Sequence, residues 1–224
     1  MPKPIAHSRL RNTFVSLGLL CLSPAFANLS PTPKTDPGTI RPPTDLFLGR
    51  GNDLNPEGKA EGRTIVIQGK VSWEDGTPAK GAKIYLWQRD ARGRYWEDAF
   101  TWGSRANYDP LDFEFRADPN FAYLGIAEVS VEGDYVFRTV QPVRNFGPLS
   151  HINLAVVING ESRLFTEIHF PRESANCVGR VTADGNAPSP LLVSPVTKSF
   201  TWPGESPQEV TLIDFPLVLE ILSP

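Results

Sequence analysis

A short strand between two glycine-containing turns, within residues 76–95, constrains the fold more than any other part of the chain. Gly76 and Gly81 lie in the turn before the strand, and Asp90-Ala91-Arg92-Gly93 has turn composition after it. Between them the residues alternate with the period of two that is typical of a half-buried strand. One face carries Ile84, Leu86 and Gln88, and the other carries Tyr85, Trp87 and Arg89.

From residue 63 onwards, the pattern of apolar and turn-forming residues predicts a series of short strands separated by turns. Asn159-Gly160 is the strongest hairpin signal, whereas residues 172–208 are irregular and receive no assignment. Short strands at this spacing predict an all-β domain, an antiparallel β-sandwich over residues 63–224. The predicted strands are Thr64–Trp73, Lys83–Arg89, Ile126–Val131, Tyr135–Val140, His151–Ile158, Arg163–Phe170 and Val210–Ile221.

The first 27 residues have the pattern of a secretory signal peptide. A basic start is followed by the apolar stretch Phe14–Leu22 and by Ala25-Phe26-Ala27, a small-x-small cleavage site. We therefore expect cleavage after Ala27, a periplasmic or extracellular location and no membrane span in the mature chain. Residues 28–62 are rich in proline and predict an extended arm or linker, in which residues 45–48 could dock on the domain or on a partner.

The composition limits which partners the chain is expected to bind. A net charge of −3 predicts that it does not bind nucleic acid. After signal removal Cys177 is the only cysteine, so no internal disulfide is expected. The aromatic and acidic stretch between Trp96 and Phe121 is long enough to be a binding segment.

Four blocks together resemble one known family, the intradiol ring-cleavage dioxygenases, which include protocatechuate and catechol dioxygenases. The blocks follow the family's order: Gly76–Gln88 with Gly93-Arg94-Tyr95, Asp118–Phe121, Gly133–Pro142 and Leu164–Pro171. The resemblance implies the family's β-sandwich, a catechol-type aromatic substrate, Fe(III) as the cofactor and an oligomer in some members.

The resemblance also implies iron ligands, and here the chain departs from the family. Tyr95 matches one of two family tyrosines, and His151 matches the first histidine of the His-x-His pair. The second histidine is replaced by Asn153, and residues 143–150 contain no second tyrosine. Two of four ligands therefore carry over.

The mature chain has two histidines, and both lie in one predicted hairpin. Asn153 and Glu167 each stand two residues from a histidine, so each pair shares a strand face. A two-residue loop at 159–160 would place His151 and His169 on opposite faces, whereas a three-residue loop would place both pairs together. The family's glutamine at the Glu167 position favours the second register.

If the pairs share a face, Tyr95, His151, His169 and Glu167 offer a phenolate, two imidazoles and a carboxylate, which suit a transition metal. The hypothesis is a rebuilt metal site in which His169 replaces the lost histidine, with Asn153 as another candidate ligand. Glu167 is a candidate ligand or general base. The alternative is that these are ordinary hydrogen-bonded strand residues without a metal.

Three functions follow from these observations. The first is an exported intradiol dioxygenase that cleaves a catechol-type ring with O2 at non-haem iron. The second is a non-catalytic binding protein on the same sandwich, since a fold does not fix a function. The third is a metalloprotein whose rebuilt site holds another transition metal.

Overall fold

The computed structural model describes residues 29–35, 42, 44–94, 117–143, 150–170 and 191–221. Within these ranges no helix is long and apolar enough to cross a membrane. The all-β class predicted from the sequence is confirmed, because the described helix is a single 3-10 turn, Thr44–Phe47. The described strands are β1 (Thr64–Trp73), β2 (Lys83–Gln88), β3 (Leu124–Glu128), β4 (Asp134–Val140), β5 (Ser150–Ile158), β6 (Glu161–Phe170), β7 (Val196–Phe200), β8 (Gln208–Asp214) and β9 (Leu217–Leu219).

The strands form two sheets that share one core. The five-stranded sheet has the order β4-β1-β8-β7, with β9 also paired to β1, and the four-stranded sheet has the order β3-β2-β5-β6. Residues from both sheets belong to one cluster of buried side chains, in which Ile67, Phe137, Leu86 and Leu154 are fully buried. This is the β-sandwich that the strand spacing predicted.

The predicted antiparallel β-sandwich is confirmed, with the exception that β1 pairs in parallel with both β8 and β9. The predicted single strand Val210–Ile221 is wrong. It divides into β8 and β9 at Phe215-Pro216, where proline has no N–H for the ladder. β7 lies in the stretch that received no assignment, and four of its five residues are exposed, so it lacks a period-two signal.

Residues 44–62 pack on the sandwich. Phe47 is 3% exposed, and its ring centre lies 4.9 Å from that of Tyr85 on β2. Leu54 is fully buried, and its N–H donates to the carbonyl of Arg138 over 2.8 Å. Phe47 therefore docks on the domain itself, whereas the neighbouring Leu48 is 79% exposed. Three subjects of the sequence predictions lie outside the described residues: the signal peptide over 1–27, Cys177 and residues 96–116 of the aromatic stretch.

Candidate functional site

The hairpin of β5 and β6 places four of the five candidate site residues on one face. Its other face points into the core, where Ile152, Leu154 and Ile168 are fully buried. We call the outward face, defined by His151, Asn153, Glu167 and His169, the histidine face. The fifth candidate, Tyr95, lies outside the described residues.

The register brings the four residues together in pairs. His151 lies opposite His169, and Asn153 lies opposite Glu167. The two imidazole rings have centres 6.5 Å apart and an interplanar angle of 72°.

The expected dependence on loop length is wrong. The loop has two residues, since Ile158 pairs with Glu161, yet the histidines share a face. Val157 pairs with Ser162 and Val156 with Leu164, so Arg163 is an extra residue in β6. This β-bulge shifts the register by one residue and has the effect expected of a three-residue loop.

Glu167 and His169 form a close pair on β6. His169 Nε2 lies 2.7 Å from Glu167 Oε2, and both side chains are mostly buried, with 18% and 22% exposure. The hydrogen bond from His169 lowers the pKa of Glu167 against the opposing effect of burial, and the nearby His151 lowers it further. An ionised carboxylate only accepts, so the proton of this bond is on His169 Nε2.

The other ring nitrogen of His169 is Nδ1. In a neutral imidazole, which carries one N–H, the bond to Glu167 places that N–H on Nε2 and leaves the lone pair on Nδ1. Nδ1 is buried and has no hydrogen-bond partner among the described residues. Buried polar atoms are nearly always paired, so this nitrogen is a candidate to bind a ligand or metal.

Backbone hydrogen bonds to a neighbouring segment fix the position of His169 at the outer edge of strand β6. Its N–H donates to the carbonyl of Leu191 over 2.9 Å, and its carbonyl accepts from Val193 N–H over 3.0 Å. Leu191 and Val193 are both buried. This segment covers the edge of β6 and limits the movement of the histidine.

Asn153 is bound into the sheet. It is 6% exposed, and its Nδ2 donates to the carbonyl of Trp87 on β2 over 3.2 Å. Trp87, directly opposite in the register, is also buried, and its indole N–H has no partner among the described residues. Trp87 belongs to the cluster of buried core side chains.

A buried carboxylate that was not predicted from the sequence, Asp90, organises the turn before Tyr95. Asp90 is fully buried, and its Oδ1 accepts the N–H groups of Arg92 (2.9 Å) and Arg94 (2.8 Å). The N–H of Asp90 donates to the carbonyl of Arg94 over 2.8 Å. The Asp-x-x-Gly turn pattern was visible in the sequence, but burial of the aspartate was not.

The second oxygen of Asp90 reaches the far side of the 95–116 stretch. Oδ2 accepts the N–H of Asp118 over 2.9 Å and the hydroxyl of Tyr123 over 2.7 Å. Asp118 accepts in turn from the N–H groups of Asn120 and Glu61. Pro119 and Asn120 form a turn, and Asp90 bonds to the chain on both sides of residues 95–116.

Known proteins with similar sequences are dioxygenases. The chain is 30% identical over 155 residues to a putative dioxygenase of Rickettsia conorii, covering 67% of this chain and 69% of that protein. It is 31% identical over 124 residues to the protocatechuate 3,4-dioxygenase beta chain of Burkholderia cepacia, covering 51% and 47%. The matches span between about half and about two thirds of the Rickettsia relatives' length.

A solved intradiol ring-cleavage dioxygenase from Tetranychus urticae shares the fold, with a TM-score of 0.58 and 17% identity over 85% of this chain and 95% of that one. The family model described as dioxygenase matches residues 48–183, more than half of the chain. This chain belongs to the intradiol dioxygenase family. Two parts of the described structure, the histidine face and the Asp90 turn, lie within that match.

The described residues of this intradiol dioxygenase family member supply some, but not all, of the ligands that a metal ion would require. Its His169 presents a buried nitrogen without a partner, and His151 lies opposite on the same face. Among the described residues, however, no group of three His, Cys, Asp or Glu side chains is placed to hold one ion. The two histidines fit a metal only with a further ligand from elsewhere in the chain, which is the role that the resemblance gives to Tyr95.

Proposed function

We propose that this chain is an exported intradiol-type dioxygenase that cleaves a catechol-type ring with O2 at non-haem Fe(III). The proposal rests on the presence of His151, opposite His169, in a member of this family. The reaction consumes one catechol and one O2, breaks the bond between the two hydroxyl-bearing carbons and gives a muconate-type diacid. The name of the Burkholderia relative supports a catechol-type substrate.

The candidate site residues would have different roles in metal binding and catalysis. Tyr95 and His151 would hold the iron, with His169 or Asn153 completing the set. When bound, ferric iron supplies coordination of the two catechol oxygens and activation of the ring towards O2. Glu167 supplies the carboxylate of the histidine face, either as proton acceptor for a catechol hydroxyl or as the partner that holds His169. Leu191 and Val193 exclude water from the outer edge.

The basic start, apolar stretch and Ala25-Phe26-Ala27 support export to the periplasm or beyond. Expression of the full chain in a bacterial host tests this part. We expect the protein in the periplasmic or extracellular fraction with Asn28 as its first residue. Recovery of unprocessed protein from the cytoplasm would contradict it.

Purification without chelators tests the activity. We expect stoichiometric iron, a broad visible phenolate-to-iron band, and O2 uptake with catechol that yields the ring-opened diacid. Tyr95→Phe should bleach the band. Tyr85→Phe is the matched control, since Tyr85 packs on Phe47 within the domain and should leave the band unchanged. Iron-loaded protein that consumes no O2 with any catechol would contradict ring cleavage.

A second candidate is a non-catalytic binding protein on this sandwich. It is favoured by the absence, within the described ranges, of a three-residue metal group. A folded protein that takes up no metal and still binds catechol would support it. Bound metal without a visible band would instead indicate a site rebuilt for another transition metal.

A further inference from the structure

We infer that His169 binds the metal through Nδ1, with Glu167 as the residue that positions it, in place of the family's second histidine. The inference rests on the proposed function for the metal and specifies the ligand set. Compared with the family, one metal ligand is then on the neighbouring strand β6 instead of β5. Glu167 has a positioning role, and Asn153 is not a metal ligand.

The geometry of the hairpin makes this exchange feasible. The family's two histidines are separated by one residue on a strand, a spacing of about 6.7 Å. Residues directly opposite on antiparallel strands have Cβ atoms about 5 Å apart. His169 lies directly opposite His151 and faces the same side. A histidine on β6 therefore approaches His151 at least as closely as one at position 153 would.

The hydrogen bonds of His169 select the nitrogen. Nε2 donates to Glu167, which leaves the lone pair on Nδ1, and Nδ1 is buried without a partner among the described residues. Histidines that bind metals commonly donate their other N–H to a carboxylate, which fixes the tautomer and the ring orientation. The Glu167–His169 pair already has this arrangement, and the Leu191–Val193 segment holds the backbone in place.

Asn153 has a different role in the same region. Its Nδ2 donates to the carbonyl of Trp87, which links β5 to β2 beside the ladder. The carboxamide would bind a metal through Oδ1, and any rotation that this required would break the Nδ2 bond at a site that is 6% exposed. A buried carbonyl that loses its partner costs about 1–3 kcal/mol. The asparagine therefore serves sheet pairing, and the histidine across the hairpin takes the metal.

Metal affinity tests the inference without relying on turnover. The mature protein, stripped of metal, is titrated with Co2+ and followed by its visible absorption, alongside His169→Gln, Glu167→Gln and the control Glu161→Gln. Glu161 is a carboxylate of the same strand, with 70% exposure, paired with Arg163. We expect His169→Gln to lose most of the affinity and Glu167→Gln to weaken binding about 10–100-fold. Glu161→Gln should bind as the wild type does.

Nitrogen-15 spectra of the histidine side chains give a second readout that needs no variant. In the metal-free protein His169 should be the Nε2–H tautomer, and added Zn2+ should shift Nδ1 while Nε2 keeps its proton. Unchanged Co2+ affinity in His169→Gln, or no shift at Nδ1, would overturn the inference. If His169→Gln also keeps the visible phenolate-to-iron band and the ring-cleavage activity, the proposed function stands without a role for His169 as a ligand. If wild type binds Co2+ through His169 but cleaves no catechol, the inference stands and the proposed function fails.

Discussion

His151 faces His169 across β5 and β6 because Arg163 is left out of the ladder between them. The two-residue turn alone would pair His151 with Ile168 and turn one histidine towards the core. The bulge avoids this by adding one residue to β6. Leu164, Ile168 and Phe170 then point inward, so the hydrophobic core and the histidine face depend on the same register.

Deletion of Arg163 tests this relationship. We expect the bulge to disappear while Val156 still pairs with Leu164 and His151 with His169, because the deletion removes only the unpaired residue. Stability should fall little, since Arg163 contributes an ion pair with the exposed Glu161. Nuclear Overhauser contacts between the two imidazole rings would confirm the register. Loss of these contacts in a folded protein would contradict the view that Arg163 is only an extra residue in an otherwise fixed register.

Asp90→Asn should destabilise the protein strongly. The carboxylate accepts four hydrogen bonds, from Arg92, Arg94, Asp118 and Tyr123. The amide turns one acceptor into a donor, which leaves buried donors unpaired at about 1–3 kcal/mol each. Urea denaturation should show a loss of about 3 kcal/mol. Asp75→Asn is the control, since Asp75 lies in a surface turn with Thr77 and should change stability little.

Gly69→Ala should also destabilise, through backbone overlap. A Cβ at this position in β1 would lie 2.3 Å from the carbonyl oxygen of Phe215, where the chain passes from β8 to β9. Overpacking of this kind costs about 1–3 kcal/mol, since neither strand can move freely. Gly51→Ala is the matched control, because a Cβ there meets nothing within 4 Å. Equal melting temperatures of the two variants would contradict this close approach.

Stability should fall at alkaline pH through Tyr123. Burial, and then the hydrogen bond with Asp90, raise the pKa of Tyr123 above its ordinary value of 10.0. The folded state then keeps its proton where the unfolded chain loses it. The stabilisation is complete below about pH 10 and is lost as the pH rises further.

Urea denaturation at several pH values between about 8 and 11 measures this dependence. Tyr123→Phe should be less stable at neutral pH but lose stability less steeply above pH 10, by up to about 1.4 kcal/mol per pH unit. Burial also raises the pKa of Tyr135, so part of the slope should remain in the variant. An unchanged slope would mean that Tyr123 ionises without unfolding.

Local patterns predicted much of the fold. β1 was placed with its observed ends, and the Asn159-Gly160 turn located the second hairpin. The parallel pairing of β1 with β8 joins residues far apart in the chain, and no local period records it. β7 is exposed on both faces, so burial left no alternation in its sequence.

The candidate site was predicted by residue type more than by geometry. His151, Asn153, Glu167 and His169 were expected on one face, and they share it, but through a bulge that the sequence does not mark. The bond between His169 and Glu167 depends on side-chain rotation, which strand periodicity does not specify. Asp90 was seen only as a turn residue, because burial of a carboxylate depends on partners from distant segments.

The hydrogen bonds that Asp90 accepts from both sides of residues 95–116 affect how far the length of that segment can vary. Arg94 and Asp118, described residues on either side of the 95–116 stretch, both donate to the carboxylate of Asp90. Lengthening such a closed loop costs only about 0.6 kcal/mol per doubling. The folding of the sandwich should therefore tolerate changes of length between Arg94 and Asp118.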